Sequence, residues 1–211
     1  MQKTVNDTKK GDPMKGKLIL ASGSPRRIEM FQKHEIPVQI CPSKLEERLP
    51  DGLTPEQTVM YLSLGKALDV ERRLSEEQSN SGQDVYILGA DTVVVLDRIL
   101  GKPMDREDAF SMLRSLRNRA HRVLTGVTIL KAGTTERISF YETTTVRTKM
   151  YTDEDILAYI ETGEPMDKAG AYAIQGGFAK FIEGYDGDYE NVIGLPWKRV
   201  KEKLDEMGVF Q

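Results

Sequence analysis

The chain has 211 residues, of which 39% are hydrophobic and 30% charged, a length and an ordinary soluble composition that suit one large domain or two lobes sharing a core. Its net charge of -3, with acids and bases interspersed, excludes a broad nucleic-acid surface, which needs a basic field. A single cysteine, Cys41, excludes an internal disulfide and fits a reducing compartment.

No apolar run reaches membrane-spanning length and no signal-peptide core is present, so a cytoplasmic location is expected and a membrane is not an expected partner. Residues 1–16 are polar and aperiodic and read as a flexible N-terminal extension, with Met14 an alternative start. Residues 17–211 read as a single domain.

An apolar strand at 17–21 runs directly into Ser22-Gly23-Ser24-Pro25-Arg26-Arg27. Ser24 suits an N-cap and Pro25 the first helical position, where a missing N–H costs nothing. The free N–H groups of such a helix start favour an anion. Arg26 and Arg27 in the first turn oppose the helix dipole, and a local rule broken beside an anion-friendly turn marks a candidate phosphate site. A capped surface helix with two solvated arginines is the bland alternative.

Val38 to Cys41 reads as a second strand, with Cys41 as packing. The loop at 42–53 carries Glu46 and Glu47, which are either solvated or suited to a metal. Thr54-Pro55-Glu56-Gln57 has a capping-box pattern and opens a long helix carrying Lys66 beside Gly65. A lone helical lysine carries little weight. Residues 75–83 read as a polar loop. From Val85 to Leu96, aliphatic and β-branched residues predict a strand buried on both faces, interrupted at Gly89-Ala90-Asp91. A carboxylate in such apolar surroundings is costly unless paired, hydrated or metal-bound. Asp97-Arg98 predicts a hairpin turn, and Gly101-Lys102-Pro103 places another cation at a strand end.

Asp105 to Leu116 reads as a helix, and 123–130 with 138–146 as an antiparallel pair. His34, near a helix C-terminus, suits the dipole there, and neither it nor His121 belongs to a recognisable catalytic motif. Thr152 opens a helix to Glu161. The small-residue loop 164–176 carries Lys168 and Gln175, and a glutamine offers the donor and acceptor that a base edge needs. A strand at 178–183, a turn at 184–187 and a last helix after Pro196 complete the order. Strand–helix units, then hairpins, then strand and helix again predict an α/β fold, a central mixed β-sheet flanked by helices, with a ligand cleft at the strand ends.

Five ordered motifs, Ser22-Gly23-Ser24-Pro25-Arg26-Arg27, Gly89-Ala90-Asp91-Thr92-Val93, Gly101-Lys102-Pro103, the stretch from Asp167-Lys168-Ala169-Gly170 to Gln175-Gly176, and Val192-Ile193-Gly194-Leu195-Pro196, resemble those of the Maf nucleoside triphosphate pyrophosphatases, also called septum formation inhibitors. The resemblance spans 17–209. It implies a Maf/ITPase-like fold of two lobes around a deep cleft, dimers, and hydrolysis of a nucleoside triphosphate to monophosphate and pyrophosphate with Mg2+, Mn2+ or Co2+. Arg27, Thr92 and Gln175 match residues of the branch acting on dTTP and UTP, with modified pyrimidine nucleotides as further substrates. Asp91 matches the catalytic aspartate. Ala173 departs from the glycine more usual in that loop.

On this reading Ser22, Ser24, Arg26 and the helix start hold phosphate oxygens. Lys66, Lys102 and Lys168 neutralise the leaving pyrophosphate, and Glu47 and Asp91 hold the metal and position water. Asp91 among cations suits orienting water better than abstracting its proton. Gln175 and Thr92 read the base. The rivals are the same chemistry on another base, a nucleotide-binding regulator of cell division, and a nucleotidyltransferase.

Overall fold

The computed structural model describes residues 14–77 and 83–210. Residues 1–13 of the expected extension lie outside the described residues. Met14 makes an antiparallel bridge with Phe210, and the Lys15 N–H donates to the Val209 carbonyl, so the end of that segment is tied to the C-terminal residues.

A mixed seven-stranded sheet forms the centre. Strand β1 (Lys17–Leu20) lies between β2 (Gln39–Ile40) and β3 (Val85–Val95), parallel to both. Antiparallel pairing then continues from β3 through β5 (Ala120–Lys131) and β6 (Arg137–Thr148) to β7 (Ile182–Asp186), while β4 (Ile99–Leu100) folds back on the end of β3.

Side-chain alternation along the strands sorts the helices onto two faces. Ile19 and Ile87 meet Ala67, Val70 and Leu74 of the long helix α2 (Pro55–Glu77). On the other face Leu18, Leu20, Tyr86 and Leu88 join the main core. There they pack with α1 (Pro25–Lys33), α3 (Arg106–Leu116), α4 (Asp153–Glu161) and, after the short α5 (Tyr189–Ile193), α6 (Trp197–Glu206). His34, just after α1, stacks on Trp197 with ring centroids 4.3 Å apart and lies 3.3 Å from Glu190.

Several local expectations are corrected. Gly89-Ala90-Asp91 does not interrupt β3, which pairs with β5 without a break from Tyr86 to Val95. The small residues are there for α2: a Cβ on Gly89 would lie 2.2 Å from the Ser63 carbonyl oxygen, and one on Gly126 of β5 2.3 Å from that of Val59. Helix and sheet therefore approach backbone to backbone. The run at 178–183 begins as a 3-10 turn at Ala179–Phe181, because Phe178 and Phe181 pack into an aromatic cluster with Tyr151, and β7 starts at Ile182. The turn expected at 184–187 is largely strand. Helix α2 continues to Glu77, into the segment read as loop. Ser24 occupies the N-cap position with no side-chain cap bond.

The register also makes the cleft. β1 ends its pairing at Leu88, and β4 meets β3 only at Val94. Between those points, on the β1 side, β3 pairs with no strand among the described residues.

Candidate active site

That open edge borders a cleft of about 690 Å³. Neighbouring residues of β3 serve its two sides. Asp91 points to the face covered by α2, and Thr92 to the face covered by α1.

On the α2 face, Lys66 Nζ lies 2.6 Å from an Asp91 carboxylate oxygen and 2.7 Å from one of Glu47. The Lys66 and Asp91 side chains are only 15% and 11% exposed, so their pairing is little screened by water, whereas Glu47 is 51% exposed and comes in from the loop. A buried ion pair in such a place compensates the desolvation of both partners only through close geometry.

On the α1 face, Arg27 is buried and its guanidinium is engaged in three directions. Nε donates to the Gly194 carbonyl at 2.8 Å, Nη1 to Ser22 Oγ at 3.1 Å and Nη2 to Thr92 Oγ1 at 3.0 Å. Burial lowers its pKa from 12.5 to about 10, with Asp91 acting in the opposite direction, so it stays charged at neutral pH. Thr92 Oγ1 lies 2.9 Å from Thr125 Oγ1, and Thr125 donates to the Asn191 carbonyl at 3.0 Å. Each hydroxyl has one proton, which sets the direction of the chain: Arg27 to Thr92, Thr92 to Thr125, Thr125 to Asn191. Thr125 and Asn191 were not singled out from sequence. The signal available was Thr125 on an alternating strand position facing Thr92.

The remaining cations line the cleft from loops. Arg26 is half-buried at the start of α1, and burial lowers its pKa against the nearby Asp167, Tyr159, Glu164 and Glu29. Lys102 and Lys168 arrive on separate loops joined by the Gly170 N–H donating to the Gly101 carbonyl at 2.9 Å. Gly170 takes φ +67 there, and a Cβ would fall within 3.0 Å of three Val94 atoms, so glycine fits on both counts. Lys168 pairs with Asp167. Ser22 and Ser24 line the same wall, and the Ser24 N–H donates to Ser22 Oγ at 3.2 Å.

Asp91, Lys66, Lys102, Ser22, Ser24, Arg26, Arg27, Thr92, Lys168 and Glu47 are thus brought together around one cleft. Gln175 is not. It is exposed and stands off the cleft wall, which Ile174 and Tyr172 supply from that loop. Tyr172 is itself held from behind by His121, whose Nε2 lies 2.7 Å from its hydroxyl.

An open α/β cleft lined by Arg26, Arg27, Lys66, Lys102 and Lys168, with the Glu47 and Asp91 carboxylates on Lys66, has the charge to receive an anion. The chain matches the family model described as Maf, Maf-like protein, over residues 17–207, and it belongs to that family. It is 42% identical over 193 residues to a protein of Acetivibrio thermocellus named dTTP/UTP pyrophosphatase, covering 92% of this chain and 96% of the relative. A relative of the same name from Agathobacter rectalis is 45% identical over 201 residues, covering 91% and 98%. Another, from a Thermoanaerobacter species, is 45% identical over 189 residues, covering 89% and 95%. Among the described residues no helix is long and apolar enough to cross a membrane.

Proposed function

We propose that this chain hydrolyses dTTP and UTP, and modified pyrimidine nucleotides of the same shape, to the nucleoside monophosphate and pyrophosphate. The observation that carries the reading is the Glu47–Lys66–Asp91 cluster, set in a cleft otherwise rimmed by Arg26, Lys102 and Lys168. The names of the relatives supply the substrate.

The donor set fits a divalent cation. Two carboxylates already converge within 2.7 Å of one cationic point, and hard oxygen donors are what Mg2+, Mn2+ and Co2+ accept. Among the described residues no cluster of three or more His, Cys, Asp or Glu could hold a metal alone. Glu47 and Asp91 would therefore hold the ion together with phosphate oxygens, the usual arrangement for Mg2+ with a nucleotide. When bound, it supplies charge neutralisation on the phosphates.

The chain's own groups account for the rest. Ser22, Ser24, Arg26 and the N-terminus of α1 grip phosphate oxygens. Asp91 orients a water towards the α-phosphorus. Lys66, Lys102 and Lys168 stabilise the charge gathering on the departing pyrophosphate. Arg27 and Thr92 shape the nucleoside end. Gln175 stands off the cleft wall, and its part in base reading rests on the resemblance alone; Gln175→Ala is expected to raise the KM for UTP.

Product analysis tests the reading. Purified protein with Mg2+ or Mn2+ and each common nucleoside triphosphate should give UMP and dTMP with pyrophosphate, fastest from UTP and dTTP. Diphosphate with orthophosphate would overturn the site of attack. Binding without any product would favour a nucleotide-responsive regulator.

A further inference from the structure

The loop at 42–53 brings Glu47 to Lys66, yet the Glu47 side chain itself is half-exposed. What fixes the loop lies further along α2, at Asp69. This carboxylate is 7% exposed, and one of its oxygens accepts from Ser43 Oγ at 3.0 Å and from the Lys44 N–H at 2.8 Å. Its other oxygen accepts from Arg72 at 3.1 Å. Arg73, 3.3 Å from the same carboxylate, donates to the Pro42 carbonyl at 2.8 Å. Ser43 Oγ in turn accepts from the Leu45 N–H at 3.0 Å, which curls the loop towards Glu47.

An apolar contact completes the grip. A Cβ on Gly65 would lie 2.7 Å from a terminal carbon of Leu45, so the bare glycine is the notch that seats this side chain. Gly65, Lys66, Asp69 and Arg73 thus present one helical stripe to one loop.

We infer that Asp69 is a positioning residue for the pyrophosphatase site: it clasps 42–45 to α2 and so delivers Glu47 to Lys66 and the bound cation. The inference rests on the proposed function for its kinetic readout, and on the loop alone for its structural one. Burial raises the pKa of Asp69, but the Lys44 N–H, the Ser43 hydroxyl and Arg73 outweigh burial and hold it below the usual carboxylate value, so the clasp is ionised at neutral pH.

The test is a double-mutant cycle on the full chain. Asp69→Ala is expected to lower kcat for UTP about tenfold and to raise the Mg2+ concentration needed for half-maximal rate, since small misplacements of a charged group cost this much. Asp69→Asn keeps one acceptor oxygen, which can still receive Ser43 Oγ and the Lys44 N–H, and should recover most of the rate. In a Glu47→Gln background, Asp69→Ala should cost less than twofold more. An equal tenfold loss in both backgrounds would make Asp69 a general structural residue and overturn the inference, as would an unchanged kcat. Amide exchange decides independently of turnover. Asp69→Ala should speed exchange at Lys44 and Leu45 at least tenfold and leave β3 and β5 protected. If the unaltered protein does not hydrolyse UTP, the functional reading fails while this exchange measurement still decides the clasp. Unchanged exchange would end it.

Discussion

Lys66 Nζ stands 2.6 Å from the Asp91 carboxylate across 25 positions of sequence, one on the helix and the other on the strand that the helix covers. Asp91→Asn keeps the shape and removes the charge. Turnover of UTP is expected to fall by about 10²-fold or more, the scale of a lost acid–base or orienting group, while denaturation remains cooperative. Steady-state kinetics beside a denaturant melt checks it, and turnover within twofold of the unaltered protein would remove Asp91 from the reaction.

Arg27→Lys is expected to behave as a severe change. An ammonium cannot reach the Gly194 carbonyl, Ser22 and Thr92 together in the planar fork that Arg27 provides. Leaving buried acceptors unpaired costs roughly 1–3 kcal/mol. A urea melt should show that loss, and a nucleotide panel should show weaker discrimination between UTP and CTP. Unchanged stability would mean that the three bonds are dispensable.

Gly89→Ala and Gly126→Ala each insert a methyl against the backbone of α2. Overpacking of this kind costs roughly 1–3 kcal/mol, and relief requires α2 to move away from the sheet, carrying Lys66 with it. Both variants should therefore lose turnover as well as stability. A variant destabilised but fully active would separate the helix approach from the site.

His121 sets a pH dependence of stability. Burial lowers its pKa from 6.5 to about 4. The unfolded chain binds more protons between those values, so the contribution of His121 is complete above pH 6.5 and is lost as pH falls towards 4. At 1.36 kcal/mol per pKa unit the loss is about 3 kcal/mol. The stability gap between the unaltered protein and His121→Gln should narrow steadily over that window in denaturant melts. A constant gap would show that the imidazole does not titrate there.

The elements that sequence made legible were those with local chemistry. The Thr54 and Gln57 box opens α2, with the Gln57 N–H donating to Thr54 Oγ1 at 3.2 Å and the Thr54 N–H to the Gln57 side chain at 2.9 Å. Asp105 caps α3 singly, accepting from the Asp108 N–H at 2.8 Å. Where partners are distant, sequence was silent. Arg27 finds the Gly194 carbonyl 167 positions away, and nothing in Pro25-Arg26-Arg27 says which arginine turns inward. Asp69 reads as one more charge on a helix until the loop it holds is seen. Gly89 looked like a break because a glycine in a strand can mark either a bulge or the close approach of another backbone, and the proximity of Ser63 tells the two apart. Gln175 sits in a loop without period, and no local rule sets the direction of its side chain.

The alternation that sends Asp91 to one face and Thr92 to the other lets two neighbouring residues of a single strand meet two different helices, Lys66 of α2 and Arg27 of α1, at one cleft. Adjacent positions of β3 carry Asp91 and Thr92, so a single-residue insertion ahead of Asp91 would exchange the faces they meet and break the Lys66 and Arg27 contacts at once.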